Sequence, residues 1–505
     1  MVNLQQLLQA INVVETYKEE NISITGLSYH SQKVESGHLF VCIKGYKTDG
    51  HKYLADAVKN GAIAAVVENF QEGIDIPQIR VENSRIALAQ LGNAYFSEPS
   101  KKLKMIGITA TNGKTTTSYM TNAMLETEGY KTGLIGTVTV KIDDYSFPAE
   151  LTTPESLDLQ NYLHQMVERG VTHVSMEVSS AAMETNRVET VEYDIVTLNN
   201  ISREHIDSHG SFEQYWNVKS SLITNASENS VAVLNLDDEY SASLINRTNA
   251  SVVTFGVKNE DGHIRCKNLD LSTGRGRFTY EIVKEFKSTS AHLTPVSFEV
   301  ELAVPGLHSV YNSMVAITVA LLNNVSIESI QKTLQTFTGV ERRFEFIFEE
   351  DIKIVDDHFA NPGNINITLK TLQYMDFQNL HLVYAIRGER GPTVNRENAE
   401  AIVEWASKLN ISEIIATKSV SHVTLKDRVT DEEVKAFMDV MEKAGIEVKL
   451  YDELPDAITE AITNVVENDL ILLAGAQGMD LGGEIALEII HKRTSKAPKT
   501  VGHLQ

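Results

Sequence analysis

The stretch GITATNGKTTTSYM, residues 107–120, decides the fold of the central part of this chain. It begins inside the apolar run 105–108 and leads into a helix-forming segment. A strand, a glycine turn, a lysine and hydroxyls in this order form a phosphate cradle, because backbone N–H groups and the helix dipole attract an anion. Lys114 is spaced to reach the β- and γ-phosphates, and Thr115 to hold Mg²⁺. The stretch therefore predicts a nucleoside triphosphate site, and the alternative is an ordinary strand–turn–helix.

Length and charge describe a globular protein with an acidic surface. The chain has 505 residues, of which 42% are hydrophobic and 22% charged. This length predicts about three domains. The net charge of −23 argues against nonspecific binding to nucleic acid or to anionic membranes. We therefore expect no nucleic-acid or membrane partner. Small-molecule partners and a monomer are separate expectations that do not rest on the charge.

The targeting features of the sequence and its use of cysteine indicate the cytoplasm. No apolar run is long enough to cross a bilayer, and the first residues lack the basic segment of a secretory signal. Cys42 and Cys266 lie far apart and show no metal-binding spacing. They fit two inert thiols in a reducing compartment. We expect a cytoplasmic protein.

Strands and helices alternate in three blocks. Residues 1–102 form a small α/β unit, and residues 103–338 follow the pattern of a mainly parallel, doubly wound sheet. In residues 339–505 the βα pattern starts again, and Thr430 to Glu433 forms a capping box. The sequence predicts an α/β protein of three domains, with a central doubly wound P-loop-type ATPase domain and a Rossmann-like C-terminal domain. The strands expected in the central domain are KMIGIT, KTGLIG, THVSMEV, YDIVTLNNI, SVAVLNL and ASVVTFG.

Polar clusters follow several central strands, at the sheet edge where ligands gather in open parallel sheets. LTTP (151–154) has two hydroxyls, and Glu177 closes an apolar strand where a carboxylate can hold Mg²⁺. The segment 199–210 contains two histidines, an arginine and acids. Lys219 follows in a helix that starts near Ser211. Each has an alternative without a functional role, which in the same order is a helix-start turn, a salt-bridged glutamate, structural histidines and a solvated lysine.

Taken together, these segments resemble the Mur ligase family, and the order is closest to its members that add an amino acid to a UDP-N-acetylmuramoyl-dipeptide. The resemblance spans nearly the whole chain, and the joint occurrence of the motifs is what makes it specific. The segments that carry it are TATNGKTTT (109–117), LTTP (151–154), MEVSS (176–180), Arg187, ISREHIDSHG (201–210) and Lys219.

The resemblance assigns roles by position. The ATP-binding residues would be Thr111, Asn112, Gly113, Lys114, Thr115, Thr116, Asn312, Arg343 and Asp357. The metal ligands would be Thr115, Glu177 and His205, and the catalytic residues Lys114, Glu177, His205 and Lys219, the last of them carbamylated. The substrate-binding residues would be Ser31, Thr152, Thr153, Ser179, Arg187, Arg387 and Arg390. The N-terminal domain would bind the UDP moiety and the C-terminal domain the amino-acid acceptor.

The resemblance also implies a reaction. A substrate carboxylate attacks the γ-phosphate of ATP and gives an acyl phosphate and ADP, and the amino acid then attacks the acyl carbon. Because two anions meet in the first step, Lys114 and Mg²⁺ are needed to offset their repulsion. The cofactors would be ATP and Mg²⁺, and the pathway would be peptidoglycan biosynthesis, which serves cell shape and division.

Several segments depart from the family pattern. His30, Ser31 and Gln32 stand where the family has Asp-Ser-Arg, and Ala110 replaces a glycine of the phosphate loop. The DNPR-like stretch of diaminopimelate-adding members reads Thr-Lys-Ser-Val-Ser at 417–421, and the GKGHE-like stretch reads Gly-Ala-Gln-Gly-Met at 475–479. We therefore expect intact ATP activation and an acceptor other than diaminopimelate.

Two other functions stay open. A related ATP-dependent ligase with a folylpolyglutamate-type or cyanophycin-type substrate would use the same ATP chemistry, because fold alone does not set the substrate. A non-catalytic nucleotide-binding homologue would explain the missing acceptor residues. The joint retention of Lys114, Thr115, Glu177, His205 and Lys219 argues against the second alternative.

Overall fold

The structure is a computed structural model that describes residues 2–18, 20–45, 48–202, 211–339 and 344–496. It divides into two compact units. The first comprises Met1–Cys266, Tyr280–Phe298 and Asn312–Thr333, and the second Lys267–Thr279, Glu299–Tyr311 and Leu334–Gln505. The three-domain boundaries expected after residues 102 and 338 stay a prediction.

The described helices and strands have these bounds in chain order. The helices are α1 (Leu4–Leu8), α2 (Leu54–Lys59), α3 (Ser84–Tyr95), α4 (Lys114–Glu128), α5 (Ser156–Glu168), α6 (Ser180–Glu184), α7 (Phe212–Thr224), α8 (Glu239–Ala242), α9 (Leu307–Leu322), α10 (Ile327–Thr336), α11 (Pro362–Leu372), α12 (Pro392–Ala406), α13 (Asp431–Ala444), α14 (Leu454–Asn464) and α15 (Gly482–Lys496). The strands are β1 (Val2–Asn3), β2 (Glu15–Tyr17), β3 (Ser23–Ile24), β4 (Gly26–Ser28), β5 (His38–Val41), β6 (Ala62–Val67), β7 (Gln78–Arg80), β8 (Lys104–Thr109), β9 (Thr132–Ile135), β10 (Thr139–Ile142), β11 (Tyr145–Pro148), β12 (His173–Glu177), β13 (Ile195–Leu198), β14 (Val231–Asn235), β15 (Ser251–Gly256), β16 (Ile264–Asp270), β17 (Arg275–Ile282), β18 (Phe286–Lys287), β19 (His292–Leu293), β20 (Val296–Pro305), β21 (Glu345–Glu349), β22 (Lys353–Asp357), β23 (Leu380–Ala385), β24 (Glu413–Thr417), β25 (Glu447–Tyr451) and β26 (Leu470–Ala474).

The first unit contains a small N-terminal sheet in the order β2-β7-β6-β5-β4. Its strands β4 to β7 are parallel, and β2 pairs antiparallel to β7. Strands β5 and β6 are buried apolar runs, as parallel strands covered on both faces usually are. The α/β pattern expected in this part of the chain is therefore confirmed.

The larger sheet of the first unit contains the parallel order β9-β12-β8-β13-β14-β15. Strand β8 lies in the middle, and Ile106 is in register with Ser175 of β12 and with Ile195 of β13. The chain therefore continues on both sides of β8, which is the doubly wound arrangement expected from the sequence. In such a sheet the ligand crevice opens at the carboxyl end of the central strands.

A hairpin at the edge of this sheet was missed by the sequence analysis. Strands β10 and β11 pair antiparallel, and β10 continues the sheet from β9. Asp143 takes a left-handed φ of 57° in the turn, which aspartate tolerates better than most residues. The pattern was hard to read because each strand has four residues and β11 is mostly exposed.

The second unit contains a sheet in the order β21-β22-β26-β23-β24-β25. The strands from β22 to β25 are parallel, and β21 is an antiparallel edge strand. The expected Rossmann-like pattern is confirmed, and so is the capping box that starts α13, in which Thr430 and Glu433 bond each other's backbone N–H. In the described part of the chain, no helix has the length and apolar character needed to cross a bilayer.

Candidate functional site

The phosphate loop, residues 110–113, joins β8 to α4. Gly113 precedes the helix with a left-handed φ of 91°, which favours glycine. A Cβ at this position would lie 2.3 Å from Asn312 Oδ1, so no side chain fits there. The loop therefore leaves bare backbone at a helix start, which is the shape that an anion can approach.

Asn200 and Tyr215 hold this loop in shape. The N–H of Asn112 donates to Asn200 Oδ1 at 3.0 Å, and Asn200 Nδ2 donates to the carbonyl of Asn112 at 2.9 Å. The hydroxyls of Thr111 and Tyr215 are 3.0 Å apart. Thr111 and Asn112, which the sequence assigned to ATP, thus also hold the loop in shape through bonds within the chain.

Two lysines meet at one carbonyl of the loop. Lys114 Nζ donates to the carbonyls of Ala110 and Thr111 at 2.9 and 3.0 Å. Lys219, only 2% exposed, donates to the same Ala110 carbonyl at 2.8 Å and to the Thr109 hydroxyl at 3.3 Å. The alternative of a solvated helix lysine at Lys219 is therefore wrong, because α7 turns this side chain into the site.

Glu177 lies at the carboxyl end of β12 and is fully buried. Its carboxylate accepts from the Thr115 hydroxyl at 3.0 Å and from the N–H and hydroxyl of Thr137 at 2.9 and 3.1 Å. Burial raises the pKa of Glu177, while the charge of Lys114 and these hydrogen bonds act to lower it. The partners that hold the carboxylate directly are hydroxyls and an N–H group, which fix its orientation.

These residues fit a magnesium nucleotide. The oxygens of the Thr115 hydroxyl and the Glu177 carboxylate lie 3.0 Å apart beside the phosphate cradle, and both can coordinate a metal. Mg²⁺ prefers one or two carboxylates together with phosphate oxygens and water. The described residues contain no cluster of three or more acidic, histidine or cysteine ligands. His205, expected as a metal ligand, lies outside the described residues.

The hydroxyls assigned to substrate gather next to Glu177. The Thr153 hydroxyl donates to the carbonyl of Glu177 at 2.8 Å and accepts from the N–H of Ser179 at 3.0 Å. Arg187 Nη1 donates to the carbonyl of Thr153 at 3.0 Å. Thr152 Oγ1 is 3.1 Å from the Thr137 hydroxyl. The structure therefore brings these four expected substrate residues to the strand ends that carry Glu177.

The remaining expected ATP residues are spread out. Asn312 accepts from Asn199 Nδ2 at 3.1 Å and lies against Gly113 of the phosphate loop. Asp357, in the second unit, accepts from the N–H of Phe344 and from the Thr368 hydroxyl. Thr116 is partly exposed on the first turn of α4, and Arg343 lies outside the described residues.

Ser31 starts a short helical turn in the N-terminal sheet region, and its carbonyl accepts from Asn60 Nδ2 at 2.9 Å. The side chain is partly exposed. The expected contact with the UDP moiety stays a prediction.

Arg387 and Arg390 follow β23 in the second unit. Arg387 is partly buried and donates from Nη1 to the carbonyl of Ala360, and burial and the charge of Arg390 lower its pKa. Arg390 is exposed, with Nη2 at 3.7 Å from an oxygen of Asp427. Both side chains thus lie at the carboxyl edge of the sheet, where a ligand carboxylate can be bound.

Glu433 holds the loop that carries these arginines. It is 2% exposed, and its carboxylate accepts from the N–H of Arg390 at 2.9 Å, of Gly391 at 2.8 Å and of Thr430 at 2.9 Å. Burial acts to raise the pKa of Glu433, but these N–H groups outweigh it and hold the pKa below its ordinary value. Glu433 therefore stabilises the loop in its ionised form.

We expect Glu433→Gln to lower the free energy of unfolding by about 2 kcal/mol at pH 7, because the amide cannot accept all of these bonds. Since the pKa is lowered in the folded state, the stabilisation is present above the ordinary pKa of 4.5 and is lost as the pH falls through the folded-state pKa. Urea unfolding between pH 3 and 7, followed by circular dichroism, measures the difference. The variant Glu432→Gln, at the exposed neighbouring residue, is the control. A loss in the free energy of unfolding of Glu433→Gln that does not shrink at low pH would contradict the prediction.

Two residues of the site were missed from the sequence. Thr137 touches Glu177 with both its N–H and its hydroxyl, and Glu155 forms ion pairs with Arg187 and Arg85. Thr137 follows the strand KTGLIG by one residue, so the rule that polar residues at strand ends mark ligand sites could have found it. Glu155 gave no such signal, because its partner Arg85 is distant in sequence.

Comparison with known proteins agrees with this geometry. Three family descriptions match the chain: "Mur ligase family, catalytic domain" at residues 23–96, "Mur ligase middle domain" at 108–320, and "Mur ligase, glutamate ligase domain" at 342–477. The crystal structure of MurF from Acinetobacter baumannii is similar with a TM-score of 0.66 and 22% identity, over 97% of this chain and 99% of that one. This likeness shows the fold.

Two curated relatives are similar along almost their whole length. Both are named UDP-N-acetylmuramoyl-L-alanyl-D-glutamate–2,6-diaminopimelate ligase. The relative from Caldanaerobacter subterraneus subsp. tengcongensis is 33% identical over 457 residues, 90% of each chain, and that from Clostridium botulinum is 34% identical over 485 residues, 94% of each chain. Their names conflict in part with the expectation that the acceptor is not diaminopimelate.

The family matches, together with the phosphate loop, define an ATP-dependent ligase that forms C–N bonds and releases ADP, with Mg²⁺ as cofactor. The chain belongs to the Mur ligase family, whose reactions build peptidoglycan. The α/β fold class expected from the sequence is thereby confirmed. Membership in the family confirms the expected dependence on ATP and Mg²⁺.

Proposed function

We propose that this ligase joins an amino acid to the peptide carboxylate of a UDP-N-acetylmuramoyl-peptide-like substrate. The observation that carries the proposal is the meeting of Thr115, Glu177 and Lys219 with the phosphate loop, beside the hydroxyls of Thr152 and Thr153. A nucleotide-binding protein without turnover has no need for a buried carboxylate and a buried lysine at this place. The names of the relatives support a UDP-linked peptide as substrate.

The residues divide the work by position. Lys114 and the bare backbone at Gly113 would hold the triphosphate, and Thr115 with Glu177 would hold Mg²⁺. When bound, ATP supplies the phosphoryl group that activates a carboxylate, and Mg²⁺ offsets the charge of its phosphates. Arg187 and the strand-end hydroxyls would bind the substrate so that its carboxylate approaches in line. Lys219, if carbamylated, would add a carboxylate next to Thr109.

We further propose that the acceptor is not diaminopimelate, whose second carboxylate calls for a cation. In the stretch 417–421, Lys418 is already paired with Asp452 at 2.5 Å, and Ser419 is fully buried with a left-handed φ of 54°. A Cβ on Gly478 would lie 3.0 Å from Ala385 Cβ, so small side chains pack this edge closely. Of the two arginines at this edge, Arg387 donates to the carbonyl of Ala360 and Arg390 faces Asp427. The edge therefore supports an amino acid with a single carboxylate, bound by one of them.

The domain boundaries, oligomeric state and compartment belong to the same proposal. We take the domains as residues 1–102 for the UDP-linked substrate, 103–338 for ATP and 339–505 for the amino acid. Each of the three family matches falls within one of these ranges and leaves only the ends of the range unmatched. We propose a cytoplasmic monomer, which suits a substrate carried on a soluble nucleotide.

Release of ADP by the purified protein tests the function. It is measured with Mg²⁺, UDP-N-acetylmuramoyl-L-alanyl-D-glutamate and each of diaminopimelate, lysine, ornithine and alanine, and product mass identifies the new bond. We expect turnover with a monocarboxylate amino acid and at least tenfold less with diaminopimelate. Efficient turnover with diaminopimelate would reject the acceptor proposal, while turnover only with folate- or aspartate-polymer substrates would reject the UDP-linked one.

A further inference from the structure

Glu155 connects two arginines in the first unit, just before α5 begins. Its Oε1 is 3.1 Å from Arg187 Nη2, and its Oε2 is 3.1 Å from Arg85 Nη1. The three side chains are 14%, 11% and 15% exposed, in the order Glu155, Arg187 and Arg85. Because burial reduces screening by water and salt, these pairs constrain the side chains far more than surface pairs do.

The bond to Glu155 fixes the direction of the Arg187 guanidinium. Arg187 Nη1 donates to the carbonyl of Thr153 at 3.0 Å, while Nη2 faces Glu155. The Thr153 hydroxyl in turn bonds the backbone of Glu177 and of Ser179. The Thr153 carbonyl and the Glu155 carboxylate therefore hold the two terminal nitrogens of the planar guanidinium. The guanidinium is thereby oriented next to the hydroxyls assigned to substrate.

Arg85 keeps Glu155 in its place. Arg85 lies on α3, and its Nε donates to the carbonyl of Lys44 at 2.8 Å while Nη1 contacts Glu155. The carboxylate therefore cannot follow Arg187 freely, because its second oxygen is held from the opposite side. Two guanidinium groups share one carboxylate, which leaves one positive charge in the cluster to attract an anion.

We propose that Glu155 is a positioning residue for the UDP-linked substrate, which acts through Arg187 and is anchored by Arg85. The inference rests on the proposed function, in which Arg187 contacts an anionic group of that substrate, its diphosphate or a carboxylate. Loss of Glu155 leaves Arg187 present but lets its guanidinium turn away. The affinity for the UDP-linked substrate then falls, while ATP binding at residues 110–115 is unaffected.

A double-mutant cycle tests this coupling. Steady-state ADP release is measured for the unaltered enzyme, Glu155→Gln, Arg187→Gln and the double variant, with the UDP-linked substrate and ATP varied in turn. We expect KM for the UDP-linked substrate to rise about tenfold in Glu155→Gln and about thirtyfold in Arg187→Gln, with KM for ATP within about twofold. The double variant should be no worse than Arg187→Gln.

Glu15→Gln is the matched control, because Glu15 pairs with Arg80 at 3.3 Å on the exposed surface of the same unit. It should leave both KM values unchanged. If Glu155→Gln fails to fold by circular dichroism, Arg85→Gln serves in its place, with a rise in KM that also disappears in the Arg187→Gln background. Additive effects in the cycle, or an equal rise in KM for ATP, would overturn the positioning role. Absence of turnover by the unaltered enzyme with every UDP-linked substrate would instead overturn the proposed function.

Discussion

Lys219→Ala is expected to reduce ADP release by about 1000-fold, and a short carboxylate such as acetate should restore part of it. Lys219 is buried beside the phosphate loop, and its Nζ reaches the carbonyl of Ala110 and the hydroxyl of Thr109. If its working form is a carbamate, the alanine variant lacks a carboxylate in a pocket of matching size. Turnover is measured with and without added acetate, formate or methylammonium.

The choice of additive separates two roles for this side chain. Acetate and formate replace the negative charge of a carbamate, whereas methylammonium replaces the positive charge of a free lysine. Rescue by methylammonium alone would show that the ammonium is the working form and that carbamylation is not required. Lys104→Ala is the control, because Lys104 is exposed at the opposite end of β8 and pairs with Asp194. Its variant should keep full activity and should not respond to the additives.

The parts of the fold that the sequence predicts well are those in which the pattern is local. Strand β8, the glycine turn and α4 follow from one continuous segment, because an apolar run, a glycine with positive φ and a helix start are each set by their own neighbours. The capping box at Thr430 and Glu433 is local in the same way. The hairpin of β10 and β11 was missed because its short, exposed strands gain their stability from pairing with β9.

The candidate site was predicted in part for the same reason. Glu177 could be placed from its strand, but its burial and its bond to Thr137 depend on β9 and β12 lying side by side. On its helix pattern alone Lys219 would be a solvated lysine, and the family resemblance alone assigned it to the site; its burial depends on the direction of α7. Glu155 depends on Arg85, seventy residues away in sequence, and no local pattern records such a pair. Chemistry at a strand end is thus readable from sequence, whereas contacts across elements need the structure.

Glu177→Gln is expected to lower ADP release by about 100- to 1000-fold and to raise the Mg²⁺ concentration needed for half-maximal activity. The amide has the same size, which matters because a Cβ on Gly136 would lie 2.4 Å from Glu177 Oε1 and the pocket has little spare room. What changes is the charge beside Thr115. An uncharged oxygen binds Mg²⁺ more weakly, so the variant resembles the enzyme with Glu177 protonated.

The pH profile gives this prediction a second readout. Burial raises the pKa of Glu177, so activity of the unaltered enzyme should fall as the pH drops through that raised pKa, and high Mg²⁺ should shift the fall to lower pH. The residual activity of Glu177→Gln should lack this transition. Glu126→Gln is the control, because Glu126 is an exposed carboxylate on the far part of α4 that accepts from Lys141, Thr132 and Asn122. It should lower the melting temperature without changing the Mg²⁺ requirement, and an unchanged Mg²⁺ requirement in Glu177→Gln would remove this carboxylate from the metal site.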